Sequence, residues 1–147
     1  MPVRLLELRV YSHATEDKEK VLKAIRNILG DEYWEKAQVS EEVYSGHYGN
    51  PVIVITAKIA DPEAASRALN HILSRMGKAD RMIMADSLED RVDKEGTLYF
   101  RLSKQDALLG KLILYEADDV VRIAVHFSGR RREALGDYKE RLEEQAD

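Results

Sequence analysis

Residues 51–77, PVIVITAKIADPEAASRALNHILSRMG, carry a strand, a capped helix start and a helix stop in one unbroken run. Val52, Ile53, Val54 and Ile55 are consecutive, which predicts a strand with both faces covered at that end. Asp61 then Pro62 is the pattern of an N-cap and a first helical residue: the carboxylate accepts from free amides, and proline lacks the N–H that this position leaves unpaired. Ala65, Ala68, Leu69, Ile72, Leu73 and Met76 recur at helical spacing, and Gly77 marks the stop.

Working outward, the stretch 3–12 alternates, with Leu6, Leu8 and Val10 on one face of a predicted strand and Glu7 and Arg9 on the other. A helix follows, with Thr15 as cap, an apolar stripe of Val21, Leu22, Ile25, Ile28 and Leu29, and Gly30 as its end. After a short segment around Tyr33 and Trp34, residues 38–45 read as a second strand. Residues 79–92 read as one helix because Met84, Leu88 and Val92 fall at i, i+4 and i+8. Leu98, Phe100 and Leu102 alternate with Tyr99 and Arg101 in a half-buried strand, and Ser103 with Asp106 resembles a capping box for the short helix 104–110. Residues 111–116 and 120–127 read as a hairpin about an acidic turn, and 128–145 as a closing helix that buries Leu135, Tyr138 and Leu142. Helices interleaved with mostly hairpin-linked strands predict an α+β fold. Its mostly antiparallel sheet has about five to six strands, with helices packed mainly on one face.

With 147 residues, 1–147 is expected to form a single domain. No apolar run approaches the roughly 20 residues of a membrane span, and the N-terminal stretch lacks a signal-type apolar block; a cytoplasmic protein with no membrane partner is the expectation. Cysteine is absent, which removes disulfides and thiolate sites. High charge without cysteine fits a thermophile's surface. The net charge of −4 argues against coating nucleic acid by bulk electrostatics, so any nucleic-acid site has to be a local patch made by folding.

Three stretches could make such a patch. In SGHYGNPV, residues 45–52, Gly46, Gly49 and Pro51 shape a loop between two strands that holds His47, Tyr48 and Asn50 outward. Tyrosine stacks on an unpaired base, asparagine reads a base edge, and histidine stacks or donates to phosphate. The alternative is a rigid turn in which Asn50 bonds its own backbone. In YFRLSKQ, Arg101 lies opposite the apolar face of its strand, while Lys104 and Gln105 open a helix; the three suit one phosphate, or else an ordinary solvated edge. In SGRRR, Arg130, Arg131 and Arg132 open a helix against its macrodipole, which calls for an anion nearby, either phosphate or a neighbouring acid such as Glu133. His13, His47, His71 and His126 lack metal-ligand spacing, and no nucleophile elbow, phosphate loop or dinucleotide fingerprint occurs. Neither a metal, a cofactor nor an enzyme activity is expected.

The order of VYSHATEDKEKVLKAIRNIL, GHYGNPV, GTLYFRLSKQDALLG and VVRIAV resembles the archaeal family of exosome-related, RNA-binding proteins. That family is similar in fold to the large-subunit ribosomal protein that holds the small structural ribosomal RNA, and to double-stranded-RNA-binding domains. The resemblance implies a non-catalytic RNA-binding protein, an accessory factor in RNA processing that works with exosome or ribosomal components. His47, Tyr48, Asn50, Arg101, Lys104, Gln105, Arg130, Arg131 and Arg132 are the residues expected to meet RNA. The rival is an assembly module that docks an acidic partner or forms a homodimer; a small-molecule enzyme is a third, weaker reading.

Overall fold

The computed structural model describes residues 3–45 and 49–145. Among these residues, five strands form one antiparallel sheet: β1 (Val3–His13), β2 (Gln38–Ser45), β3 (Pro51–Ile59), β4 (Leu98–Ser103) and β5 (Val120–Phe127), in the order β2-β3-β1-β5-β4. The helices are α1 (Lys18–Leu29), α2 (Asp31–Trp34), α3 (Pro62–Arg75), α4 (Lys78–Asp86), α5 (Leu88–Arg91), α6 (Lys104–Leu108) and α7 (Arg131–Glu143). The predicted α+β class, the antiparallel sheet and the one-sided helical layer all hold.

Alternation decides which face the helices cover. Leu6, Leu8 and Val10 of β1, Leu98, Phe100 and Leu102 of β4, and Val121, Ile123 and Val125 of β5 are buried together with Ala24, Ile25 and Ile28 of α1 and Ala68, Leu69 and Ile72 of α3. Each fully buried Leu or Ile contributes roughly 1.5–3 kcal/mol through apolar area withdrawn from water. Tyr138 closes the far end of this core, its hydroxyl donating to the carbonyls of Gly96 (2.7 Å) and Val125 (3.1 Å). Asp61 caps α3 as its sequence predicts, accepting from the Ala64 amide at 2.9 Å.

Four expectations are corrected. The cap of α1 is Asp17, which accepts from the Glu19 amide; Thr15 lies in the preceding turn, closed by Glu16 N–H on the His13 carbonyl. Residues 79–92 form two helices, because the Ser87 hydroxyl donates back to the Ile83 carbonyl (2.6 Å) where α4 ends, although Met84, Leu88 and Val92 are buried as their spacing requires. Residues 111–116 and 120–127 are no hairpin: β5 inserts between β1 and β4, while Leu114 makes a single bridge to Leu102 on the outer edge of β4. Finally, residues 52–54 at the start of β3 are only half-buried, on both faces alike, and full burial is reached at Ile55.

Strand β2 is exposed along its whole length and forms one edge of the sheet. Glu41 points to the helical side, where Lys18 of α1 meets it at 3.0 Å, and Glu42 points to the open side.

Candidate nucleic-acid interface

The open face is assembled by register. Opposite Arg9 of β1 stands Arg122 of β5, and opposite Arg122 stands Arg101 of β4. On the other side of Arg9 come Thr56 of β3 and then Ser40 of β2. Neighbouring strands lie about 4.8 Å apart, so three guanidinium-bearing residues cross the sheet within about 10 Å. Like charges placed directly opposite one another destabilise a sheet. Compensation is slight: Glu7 accepts from Arg9 at 3.3 Å, whereas Arg101 and Arg122 make no ion pair among the described residues. The Arg122 Nε is enclosed without a hydrogen-bond partner, and its guanidinium lies 5.8 Å from the centre of the Tyr11 ring.

Tyrosines flank this row. Tyr44 of β2 and Tyr99 of β4 are each about half exposed (52% and 50%). Tyr115, half exposed as well, donates its N–H to the Arg101 carbonyl at 3.0 Å. A hydrogen bond from the Tyr44 hydroxyl to Glu42, and that carboxylate's charge, raise the Tyr44 phenol above its ordinary pKa. Burial, with the charge and hydrogen bond of Asp93, does the same for Tyr99. Both rings therefore stay neutral at physiological pH. Two shallow depressions of about 320 and 400 Å³ lie on this face. One is bordered by Glu7, Tyr99, Arg122 and His126, the other by Tyr11, Tyr44, Val52 and Val54, and Arg9 lines both. His126 Nε2 lies 3.3 Å from Glu7 and its Nδ1 3.4 Å from the Thr97 hydroxyl; that hydroxyl is buried, so the relay orients Glu7 and presents no accessible nucleophile.

The residues singled out from the sequence are dispersed. His47 and Tyr48 lie outside the described residues. Asn50 is exposed at the end of the sheet where β3 begins, next to the Tyr44–Val52 pair. Arg101 belongs to the row. Lys104 is buried instead of facing solvent: its ammonium meets Glu16 (2.8 Å), Asp119 (2.7 Å) and the Tyr11 carbonyl (3.2 Å), and Gln105 donates to Asp119 at 2.9 Å. Arg131 donates to the Glu89 and Val92 carbonyls near the C-terminal end of α5 (2.9 and 3.4 Å), while the Arg130 amide donates to Glu133 at 3.3 Å, which supplies the acid that the helix start calls for. Arg132 is exposed beside them. The arginine run follows Phe127, which pairs with Val3, whereas Asn50 precedes the start of β3 near Val52, which pairs with His13. Ten residues of β1 separate those ends, about 33 Å at the rise of a strand. The structure thus does not gather Asn50 and the arginine run into one site. Arg9, Tyr11, Tyr44, Tyr99 and Arg122 were not singled out, although each of the two arginines occupies a polar-face position in an alternating strand.

Among the described residues, no helix is long and apolar enough to cross a membrane, and no three His, Asp or Glu side chains are grouped to hold a metal ion. Residues 5–127 match the model of a family described as RNA binding. The chain is 35% identical over 133 residues to an RNA-binding protein of Pyrococcus abyssi, covering 88% of this chain and 86% of that one. It is 30% identical over 125 residues to an uncharacterized protein of Methanocaldococcus jannaschii, with 83% of each covered. A solved DUF54 protein of Methanothermobacter thermautotrophicus superposes with a TM-score of 0.78 at 25% identity, over 97% of this chain and 99% of its own. A family match over most of the sequence, joined to relatives that cover it nearly end to end, means that this chain belongs to the RNA-binding family, which has archaeal members.

Proposed function

We propose that the protein is a non-catalytic RNA-binding module whose RNA surface is the open face of the sheet, with Arg9, Arg122 and Arg101 as its phosphate-binding row. The observation that carries this is the row itself. Three cross-strand arginines repel one another with Glu7 as the one carboxylate paired to the row among the described residues, so a local rule of sheet stability is broken where an anion would repair it. Family membership supplies RNA as that anion. Asn50, near Tyr44 at the start of β3, extends the surface; His47 and Tyr48 are proposed as RNA contacts from the sequence alone, and Arg132 and Gln105 as peripheral ones. Lys104 serves the fold. The resemblance of the sequence to exosome-related proteins favours a role as an accessory factor in RNA processing, beside exosome or ribosomal components.

A filter-binding titration with mixed cellular RNA at 50 and 200 mM salt tests the proposal. Saturable binding that weakens about threefold to fortyfold across that range corresponds to roughly one to three phosphate contacts. No saturable binding at 50 mM would reject it. An acidic protein surface also suits the arginines, and that rival predicts a co-purifying protein that is displaced by Arg122→Ala while RNA retention is unchanged.

A further inference from the structure

We infer that the open face takes a single-stranded stretch of RNA about four nucleotides long, and not a duplex; this rests on the RNA reading above and names the kind of RNA. Rows counted from the strand pairings place Tyr44, Tyr11, Arg122 and Tyr99 along one diagonal of the sheet. Tyr44 lies two strands from Tyr11 and two residues further along; Tyr99 lies two strands beyond Tyr11 on the other side; Arg122 falls midway between Tyr11 and Tyr99. With standard strand spacing and rise the diagonal is about 28 Å long. Three aromatic rings and the Arg122 guanidinium lie on it, with Arg9 and Arg101 on either side of Arg122, a combination that meets unpaired bases and a single phosphate chain.

Two observations weigh against a duplex. A duplex keeps its base faces stacked internally, so the half-exposed rings of Tyr44 and Tyr99 would have nothing to stack on. A duplex also presents two phosphate backbones, while the three arginines of this face form a single row about 10 Å long. Carboxylates flank it, with Glu42 beside Tyr44 and Glu7 beside Arg9. A second backbone would run against those carboxylates. A single strand places them beside base edges, where a carboxylate accepts from an exocyclic amino group.

The test is fluorescence anisotropy at 100 mM salt, with a labelled 12-nucleotide RNA of mixed sequence and the same strand annealed to its complement. The inference expects the single strand to bind at least tenfold tighter. Tyr44→Ala and Tyr99→Ala are each expected to weaken it by roughly fivefold to a hundredfold, the range for loss of one stacked base, with duplex binding unchanged. Thermal melts of both variants establish that they are folded. Duplex binding as tight as or tighter than single-strand binding overturns the inference and leaves the RNA reading standing. Folded tyrosine variants with undiminished affinity overturn it too, because the rings would then not be platforms. Binding of neither RNA overturns both readings.

Discussion

Lys104 and Arg122 are two cations on adjoining strands, one just past the end of β4 and one in the middle of β5, and their surroundings are opposite. Lys104 is almost completely enclosed, and two carboxylates from distant parts of the chain close on its ammonium. Arg122 is half-buried between two other arginines and has no carboxylate partner among the described residues. The first arrangement stabilises the fold and leaves no charge for a ligand. The second sets like charges side by side and leaves the charge with only the Tyr11 ring against it. A cation's place in a motif does not separate these roles; what does is whether the elements packed around it bring an acid.

Each side of that comparison can be broken by substitution. The largest effect is expected from replacing Arg9, Arg101 and Arg122 together by alanine: RNA affinity measured by filter binding near 0.1 M salt should fall by about two to three orders of magnitude, the electrostatic share of three phosphate contacts. A drop smaller than fivefold would mean that the row is not the binding lane. Next is Lys104→Met, which leaves Glu16 and Asp119 without their cation. Denaturant unfolding should show a loss of about 2–3 kcal/mol, below the figure for a fully enclosed pair because Asp119 is half exposed. RNA affinity of the folded protein should not change.

The acid side of the pair sharpens the contrast through pH. Burial pushes the Asp119 carboxyl up, but hydrogen bonds from Lys104 and Gln105 and the lysine charge pull it down further, to a net value below the ordinary 3.8. A carboxyl depressed in the folded state stabilises the fold above its unfolded pKa, and this contribution disappears as pH falls through the folded value. Asp119→Asn should therefore cost about 1 kcal/mol at neutral pH, given its exposure. Its stability should also decline less steeply than the wild type's below about pH 4, as followed by urea titrations from pH 6 to 2. The smallest effect is expected on the arginine side: Arg122→Ala removes repulsion from two neighbours, so the melting temperature should stay within about 2 °C of wild type or rise slightly at low salt. A clear fall would show that Arg122 has a structural partner after all.

Much of the fold is legible in the sequence because its signals are local. The alternation of Leu6, Leu8 and Val10, the Asp61–Pro62 helix start and the stripe of α3 each depend on residues within a few positions. The failure at residues 111–127 has the opposite cause: whether β5 pairs with its neighbour in sequence or inserts beside β1 depends on contacts more than a hundred residues apart, such as Leu6 with Val125. The interface was hidden in the same way. Arg9, Arg101 and Arg122 belong to three segments that each look ordinary, and only the register of β1, β5 and β4 brings them into line. Lys104 illustrates the reverse, because its helix-start position resembles an anion site until Glu16 and Asp119 arrive from elsewhere.

The bare margin at β2 has a consequence for how copies of this molecule meet. Two such margins laid head to tail about their midpoint would set Glu41 and Glu42 of one chain against Glu42 and Glu41 of the other, four carboxylates at the centre of the contact against which each chain brings, among the described residues, only Lys18, beside Glu41. The sheet is thereby discouraged from lengthening into a fibre, even though Val39 and Val43 on the same margin would otherwise invite it.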